Sequence, residues 1–360
     1  MKKIIILILF LGYISCKENL SKETKNLIAK KESFWKNRNE IINKNKNKME
    51  YPIKKDTTIT EQRTNRIYLD NMECQFEIFV DDVTLFKIMG DVTKDGAGVT
   101  GDYDINQLIL TSGKHEVKVR MYPKYGKQLF GEEGYVNMEF SFFKNRDLRT
   151  MQYNNAMNGA NGIHIDQSKK QWIEKWDQEN QVGYDGNYVP KAPDKFKGLP
   201  IYEWRSTFDA EVPFSFDGWR NSVNLKKEQD DDKKDIKLEL YNEYKKIYEI
   251  IKSKDVPAYL NLVKDRENLT TATLYYKDNE KQQRQNEFVK LIQNNEYEIE
   301  PLFEETFKLE YQGYGKLGML LHLADSEGII RLKNKKDSND VIYLDFRFQR
   351  KKKGDKLTII

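Results

Sequence analysis

The chain has 360 residues, with 61 Lys/Arg against 57 Asp/Glu, a formal net charge of +4 and two cysteines. That length is enough for two ordinary domains with buried cores, and so slight a positive balance gives no basis for a nucleic-acid role. Two cysteines exclude a disulfide scaffold, so burial of apolar surface has to hold the fold.

Lys2 and Lys3 precede Ile4–Gly12, an uncharged run far shorter than the roughly 20 residues that cross a bilayer. Tyr13, Ile14 and Ser15 then lead into Cys16. The run MKKIIILILFLGYISC resembles the lipobox signals of bacterial lipoproteins: Ser15 fits the small residue before the cleaved bond and Cys16 the lipidated thiol, while Tyr13 stands where leucine is usual. The resemblance implies a signal peptide over 1–15 and a mature chain held to the bilayer by palmitate-type acyl chains on the sulfur and the new α-amino group of Cys16. Two or more chains anchor stably where a single one is marginal. Lys17, in place of aspartate, directs the expectation to the outer membrane of the cell envelope, facing either the periplasm or the surface. A plain secretory signal with an incidental cysteine is the alternative.

Residues 16–62 form a lipidated basic tether, since 17–56 hold twelve Lys/Arg against six Asp/Glu. Leu20, Leu27, Phe34 and Ile41 recur seven apart with Ile28, Trp35 and Ile42 beside them, which predicts an amphipathic helix with a narrow apolar stripe. Such a helix packs on the protein's own body, lies on the membrane or forms a coiled coil. Asn43–Lys48 alternates Asn and Lys and ends it, and Pro52 marks a loop.

From 63 to 224 the period becomes two. Cys74, Phe76, Ile78 and Val80 alternate with a second set, Asp81-Asp82 predicts a turn, and Val83–Met89 the partner strand. Strands are predicted again at Ile105–Leu110, at Glu116–Tyr122 after a Ser112-Gly113 turn, at Tyr135–Phe143 and at Tyr202–Phe216. Short strands without intervening helices indicate an antiparallel, Ig-like β-sandwich. A polar insertion over 144–200 interrupts it, with a helix predicted at Ser168–Asn180 that sets Trp172 and Trp176 one turn apart.

A charge run makes 225–235 a linker, and 236–360 reads as a second domain. Leu240, Tyr244, Ile247 and Ile251 recur at helical spacing, Asp255 caps a second helix with Pro257 in its first turn, and Phe288, Leu291 and Ile292 face inward on a third. Strands follow at Phe307–Tyr311, Gly315–Leu323, Gly328–Leu332, Val341–Gln349 and Leu357–Ile360. Helices followed by a meander make an α+β region, an order shared with NTF2-like cones. The expected fold class is therefore mixed β and α+β.

The runs CQFEIFVDDVTLFKIMG, DINQLILTSGKHEVKVRMYP and VPFSFDGWRNSVNL resemble uncharacterised two-part Gram-negative envelope proteins, some of which accompany contact-dependent toxin systems as immunity lipoproteins. The likeness lies in a strand–turn rhythm and transfers no functional residues. Catalytic chemistry has little to stand on. His115, His164 and His322 lie in separate segments without zinc-ligand spacing. Asp102, Asp104 and Asn106 open like a calcium loop that Gln107 and Gly113 then break, leaving Asp95 and Asp104 for a weak cation. Cys74 lacks a local histidine and reads as a buried thiol. No catalytic, metal or cofactor site is expected. Trp172, Trp176, Tyr184 and Tyr188 form the densest aromatic stretch, which fills a core or makes a binding surface. Arg350–Lys353 is expected as a solvated hairpin tip. The leading expectation is a non-enzymatic membrane-anchored lipoprotein that binds a protein partner, an immunity protein against a toxin among them. The alternative is an enzyme or carbohydrate-binding lipoprotein with a pocket in the C-terminal domain.

Overall fold

The computed structural model describes residues 53–54, 59–131, 134–155, 162–164, 173–177, 182–186 and 201–360, with residue 29 alone before them. The signal run, Cys16, the tether stripe, Trp172 and Tyr188 lie outside the described residues. The first half builds β1 (Ile53–Lys54), β2 (Arg63–Met72), β3 (Cys74–Val80), β4 (Val83–Ile88), β5 (Thr100–Asp104), α1 (Asn106–Ile109), β6 (Thr111–Pro123), β7 (Tyr135–Lys144), β8 (Asp147–Asn155), β9 (Gly162–His164), β10 (Ile173–Asp177), β11 (Val182–Gly186) and β12 (Tyr202–Ser215). One sheet runs β11-β10-β12-β6-β3-β4 with β1 added on β6; the other runs β5-β2-β7-β8 with β9 added in parallel on β7.

Alternation explains how the sheets meet. Ile67 and Leu69 of β2, Val136, Met138 and Phe140 of β7, Phe76 and Ile78 of β3, and Val117, Val119 and Met121 of β6 all join one buried cluster. Each large apolar side chain so buried is worth about 1.5–3 kcal/mol. Cys74 is in the same cluster, its Sγ 3.3 Å from the Tyr135 carbonyl.

Three expectations for this half are corrected. Ile105–Leu110 is not a strand: the one-turn α1 lies there, closed by Leu110 at φ 54°. Ser112-Gly113 is not a turn but the start of the 13-residue β6, because the Ser112 hydroxyl bonds both N and O of Val212 at 2.9 Å. Pairing with β12 overrides the local turn chemistry of Ser-Gly. The helix expected at Ser168–Asn180 is replaced by β10, paired with β11, so the insertion contributes strands to the sheets. Ile173 and Trp176 are strand formers as readily as helix formers once a partner strand is present.

The second half contains α2 (Leu225–Asp231), α3 (Ile236–Lys252), α4 (Val256–Leu262), α5 (Lys264–Thr273), α6 (Asp278–Gln293), β13 (Tyr297–Ile299), β14 (Phe307–Gln312), β15 (Leu317–His322), β16 (Ile330–Asn334), β17 (Val341–Leu344), β18 (Phe348–Gln349) and β19 (Thr358–Ile359). The expected caps are present: Asp255 accepts from Ala258 N at 3.0 Å, and Leu240, Tyr244, Ile247 and Ile251 form the buried stripe of α3. The charged run at 225–235 is not an extended linker over its first part. Asn224 caps α2 by accepting from Lys227 N at 2.9 Å, Leu225 is fully buried, and buried Glu228 meets Arg350 at 2.8 Å. The expected meander divides into two small sheets, β13-β16-β17 and β14-β15-β18-β19. The chain passes between the two sheets at 300–306, 323–329 and 345–347, and at the last passage Phe346 is buried and Arg347 reaches across to β4. Among the described residues no helix is long and apolar enough to cross a membrane.

The halves meet at one end of the β unit and along the edge of β4, where Thr84 bonds Gln312 and Arg347 and Lys87 meets Glu327. Asp81 and Asp82, both left-handed at φ 47° and 61°, make the two-residue β3–β4 turn. Asp82 accepts from Gly313 N through its carbonyl at 3.0 Å and from Tyr314 N through its carboxylate at 2.8 Å. The halves are also joined where the Asn106 amide donates to the Thr273 carbonyl at 3.0 Å and the Tyr275 hydroxyl to the Arg63 carbonyl at 2.9 Å.

Candidate functional site

Among the described residues the buried titratable groups are largely committed to one another. His115 is fully buried, with Nδ1 2.7 Å from the Asp81 carboxylate and Nε2 3.0 Å from the Thr111 carbonyl. An acid–histidine pair of this kind resembles part of a catalytic triad, but the outer nitrogen ends on a main-chain carbonyl rather than on a nucleophile. The other Asp81 oxygen accepts from Glu116 N at 2.9 Å. The pair therefore ties the hairpin turn to β6. Beside it lies a narrow cleft lined by Asp81, Leu110, Trp219, Arg220, Tyr314 and Lys316, with room for about one water molecule.

The outward face of β3 and β6 carries a second locked set. Arg120 stands between Glu77 at 3.2 Å and Glu203 at 2.9 Å, and the Tyr122 hydroxyl donates to Glu77 at 2.7 Å. Buried Lys118 pairs with Asp82 and lies 4.1 Å over the Phe79 ring. In the second half, Arg350 is not part of a solvated tip: it is buried against Glu228 and Glu239, while Lys351 and Lys353 pair with Asp265 and Asp232 at the surface. Asp104 and Asp102 pair with Arg66 at 2.7 and 3.6 Å, and Asn106 is buried among Asn65, Arg63 and Thr273, so the calcium-like spacing serves the fold. Among the described residues no group of His, Cys, Asp and Glu converges to hold a metal ion.

The opposite end of the β unit is built differently. Three connections meet there: the turn at Glu73 between β2 and β3, residues 89–99 between β4 and β5, and residues 124–131 after β6. Polar side chains cross-link them from beneath. The fully buried Thr93 donates to the Gly90 carbonyl at 2.9 Å and accepts from Tyr125 N at 3.1 Å. Gln75 accepts from Gly90 N and donates to the Pro123 carbonyl, both at 2.7 Å. Asn71 accepts from Val99 N at 2.8 Å and donates to the Cys74 carbonyl at 3.1 Å, and Lys124 pairs with Glu73 at 2.6 Å. Gly98 passes so near the Asn71 carbonyl that a Cβ would lie 1.5 Å from it.

On this fixed base large apolar side chains face solvent: Val92 is 60% exposed, Met72 and Tyr125 48% and Leu129 42%. Loops of this kind, held by their own hydrogen bonds, lose little freedom on binding, and exposed apolar side chains on them are available for contact with a partner. Sequence reasoning missed these residues. For Val92, Tyr125 and Leu129 the signal was an apolar side chain set inside a glycine-containing loop, which is weak because one buried neighbour, Phe130, has the same local setting, and Met72 ends strand β2.

Of the residues singled out from sequence, Trp176 lies in β10 opposite Gly183 and Tyr184 in β11 opposite Lys175, in adjacent pairs of one ribbon. His164 lies in β9 opposite Asn137, and His322 accepts from Ala324 N at 3.2 Å beside the Phe307 ring. The structure does not bring His115 and His322 together: His115 belongs to β6 and His322 to the end of β15. No protein family matches the chain, and neither a curated protein nor a solved structure matches it.

Proposed function

We propose that this chain is a non-enzymatic lipoprotein of the cell envelope, anchored through Cys16 in the outer membrane, whose β unit presents a protein-binding surface at its loop end. The observation that carries the binding reading is the rigid set of three loops displaying Met72, Val92, Tyr125 and Leu129. The run ending in Ser15-Cys16 supports the anchor. The closure of the Asp81–His115 pair onto a main-chain carbonyl supports a binding role over a hydrolytic one. Within this reading the β unit is an Ig-like sandwich, supported by two mainly antiparallel sheets around one core, and the helices that precede the C-terminal strands support an NTF2-like fold for the second half. The partner class supported by the sequence resemblance is a toxin delivered by cell contact, which makes the chain an immunity protein.

Two measurements test this. Radiolabelled palmitate should enter the wild-type protein and not Cys16→Ser, and the variant should leave the membrane fraction; unchanged retention contradicts the anchor. Wild-type protein should capture one stoichiometric envelope or toxin protein that Val92→Asp/Tyr125→Asp does not, and equal capture by both contradicts the loop-end surface.

A further inference from the structure

Among the described residues strand β4 is the last in its sheet, and its sequence, VTLFKI, has one charge among β-branched, aliphatic and aromatic residues. A six-residue edge of that composition is prone to pair with a copy of itself. Its outward main chain is, however, already occupied at Thr84. Thr84 N donates to Gln312 Oε1 at 3.2 Å, and the Thr84 carbonyl accepts from Arg347 Nη2 at 2.8 Å. Arg347 Nε donates to the same Gln312 oxygen at 2.9 Å, and Gln312 Nε2 donates to Thr84 Oγ1 at 3.0 Å. One amide and one guanidinium thus supply the acceptor and the donor that a neighbouring strand would supply. Gln312 is 2% exposed, so the cover is packed in place. The two ends of β4 are pinned as well, by the Asp82 contacts with Gly313 and Tyr314 and by Lys87, which meets Glu327 at 3.1 Å.

We propose that the C-terminal half acts as an edge guard, Gln312 and Arg347 capping β4 so that it does not pair antiparallel with β4 of a second copy of this chain. The occupant is a second copy because identical strands are self-complementary about a two-fold axis. The device goes beyond partner binding at the loop end, which lies at the other end of the β unit.

The test uses the full chain in detergent. Wild type should keep one mass over a hundredfold concentration range in sedimentation velocity, whereas Gln312→Ala/Arg347→Ala should show a heavier species that grows with concentration. Adding Thr84→Pro removes the outward N–H and should abolish that species. A double variant with native circular dichroism that keeps the wild-type mass throughout overturns the proposal, as does association that survives Thr84→Pro. If the double variant does not fold, Gln312→Ala alone decides: the Thr84 amide should exchange at least tenfold faster than in wild type, and an unchanged rate overturns the proposal.

Discussion

Asp82 and Thr93 sit at opposite ends of the same β unit and do opposite work. Asp82 turns charge inward: its carboxylate meets Lys118 and the Tyr314 amide, and both aspartates of its turn hold left-handed backbone that ordinarily favours glycine or asparagine. Thr93 is the buried neutral group at the other end, and the loops it joins turn Val92 and Tyr125 outward. The junction end spends its polar groups on joining two halves of one chain. The loop end uses them to fix a surface that nothing else in the described residues covers. Charged side chains removed from water need partners close at hand, whereas apolar side chains on a fixed base gain by meeting another molecule.

Substitutions should separate the two ends by size of effect. Asp82→Ala removes the carboxylate facing buried Lys118 and should cost about 3–5 kcal/mol in urea unfolding. Leu225→Ala should cost about 2–5 kcal/mol by the same measurement, since its side chain is fully buried, whereas a side chain on a solvated linker would cost almost nothing. Thr93→Val leaves Tyr125 N without its acceptor and should cost about 1–2 kcal/mol while speeding amide exchange at Tyr125. Val92→Asp should change stability by no more than about 0.5 kcal/mol, because its side chain is mostly exposed.

The junction also carries a pH signature. Hydrogen bonding from Arg146 and from Lys277 N lowers the Glu280 carboxyl from 4.5 to about 2, so its contribution is present above pH 4.5 and is lost as pH falls through about 2. Burial pushes the Tyr275 hydroxyl up to about 12, so the folded state keeps its proton longer than the unfolded chain and stability declines from pH 10 towards 12. Unfolding midpoints for Tyr275→Phe should lose part of the alkaline decline, and those for Glu280→Gln part of the acid one.

The parts of the fold legible in the sequence are those whose cause is local. The β3–β4 hairpin, the stripe of α3 and the Asp255 cap each depend on residues a few positions apart. What escaped depends on distant partners. Glu228 reads as one more charge in a run until Arg350 is set beside it, 122 positions on, and Asp82 reads as a turn residue until Tyr314 arrives from 232 positions away. Ser112-Gly113 has turn chemistry that β12 overrides, and α5 shows no apolar stripe: its buried residues include Thr271 and Thr273, whose hydroxyls are satisfied on their own helix. At the candidate site the apolar residues could be read off the chain, but their exposure could not, because it follows from Thr93, Gln75 and Asn71 tying three separated loops together.

The loop end is expected to meet a protein partner. A photo-reactive amino acid placed in living cells at Val92 or Tyr125, with Leu148 as an equally exposed control on β8, tests it directly. The account predicts one discrete cross-linked protein at the two loop positions and none at Leu148; cross-linking absent at all three, or equal among them, contradicts it.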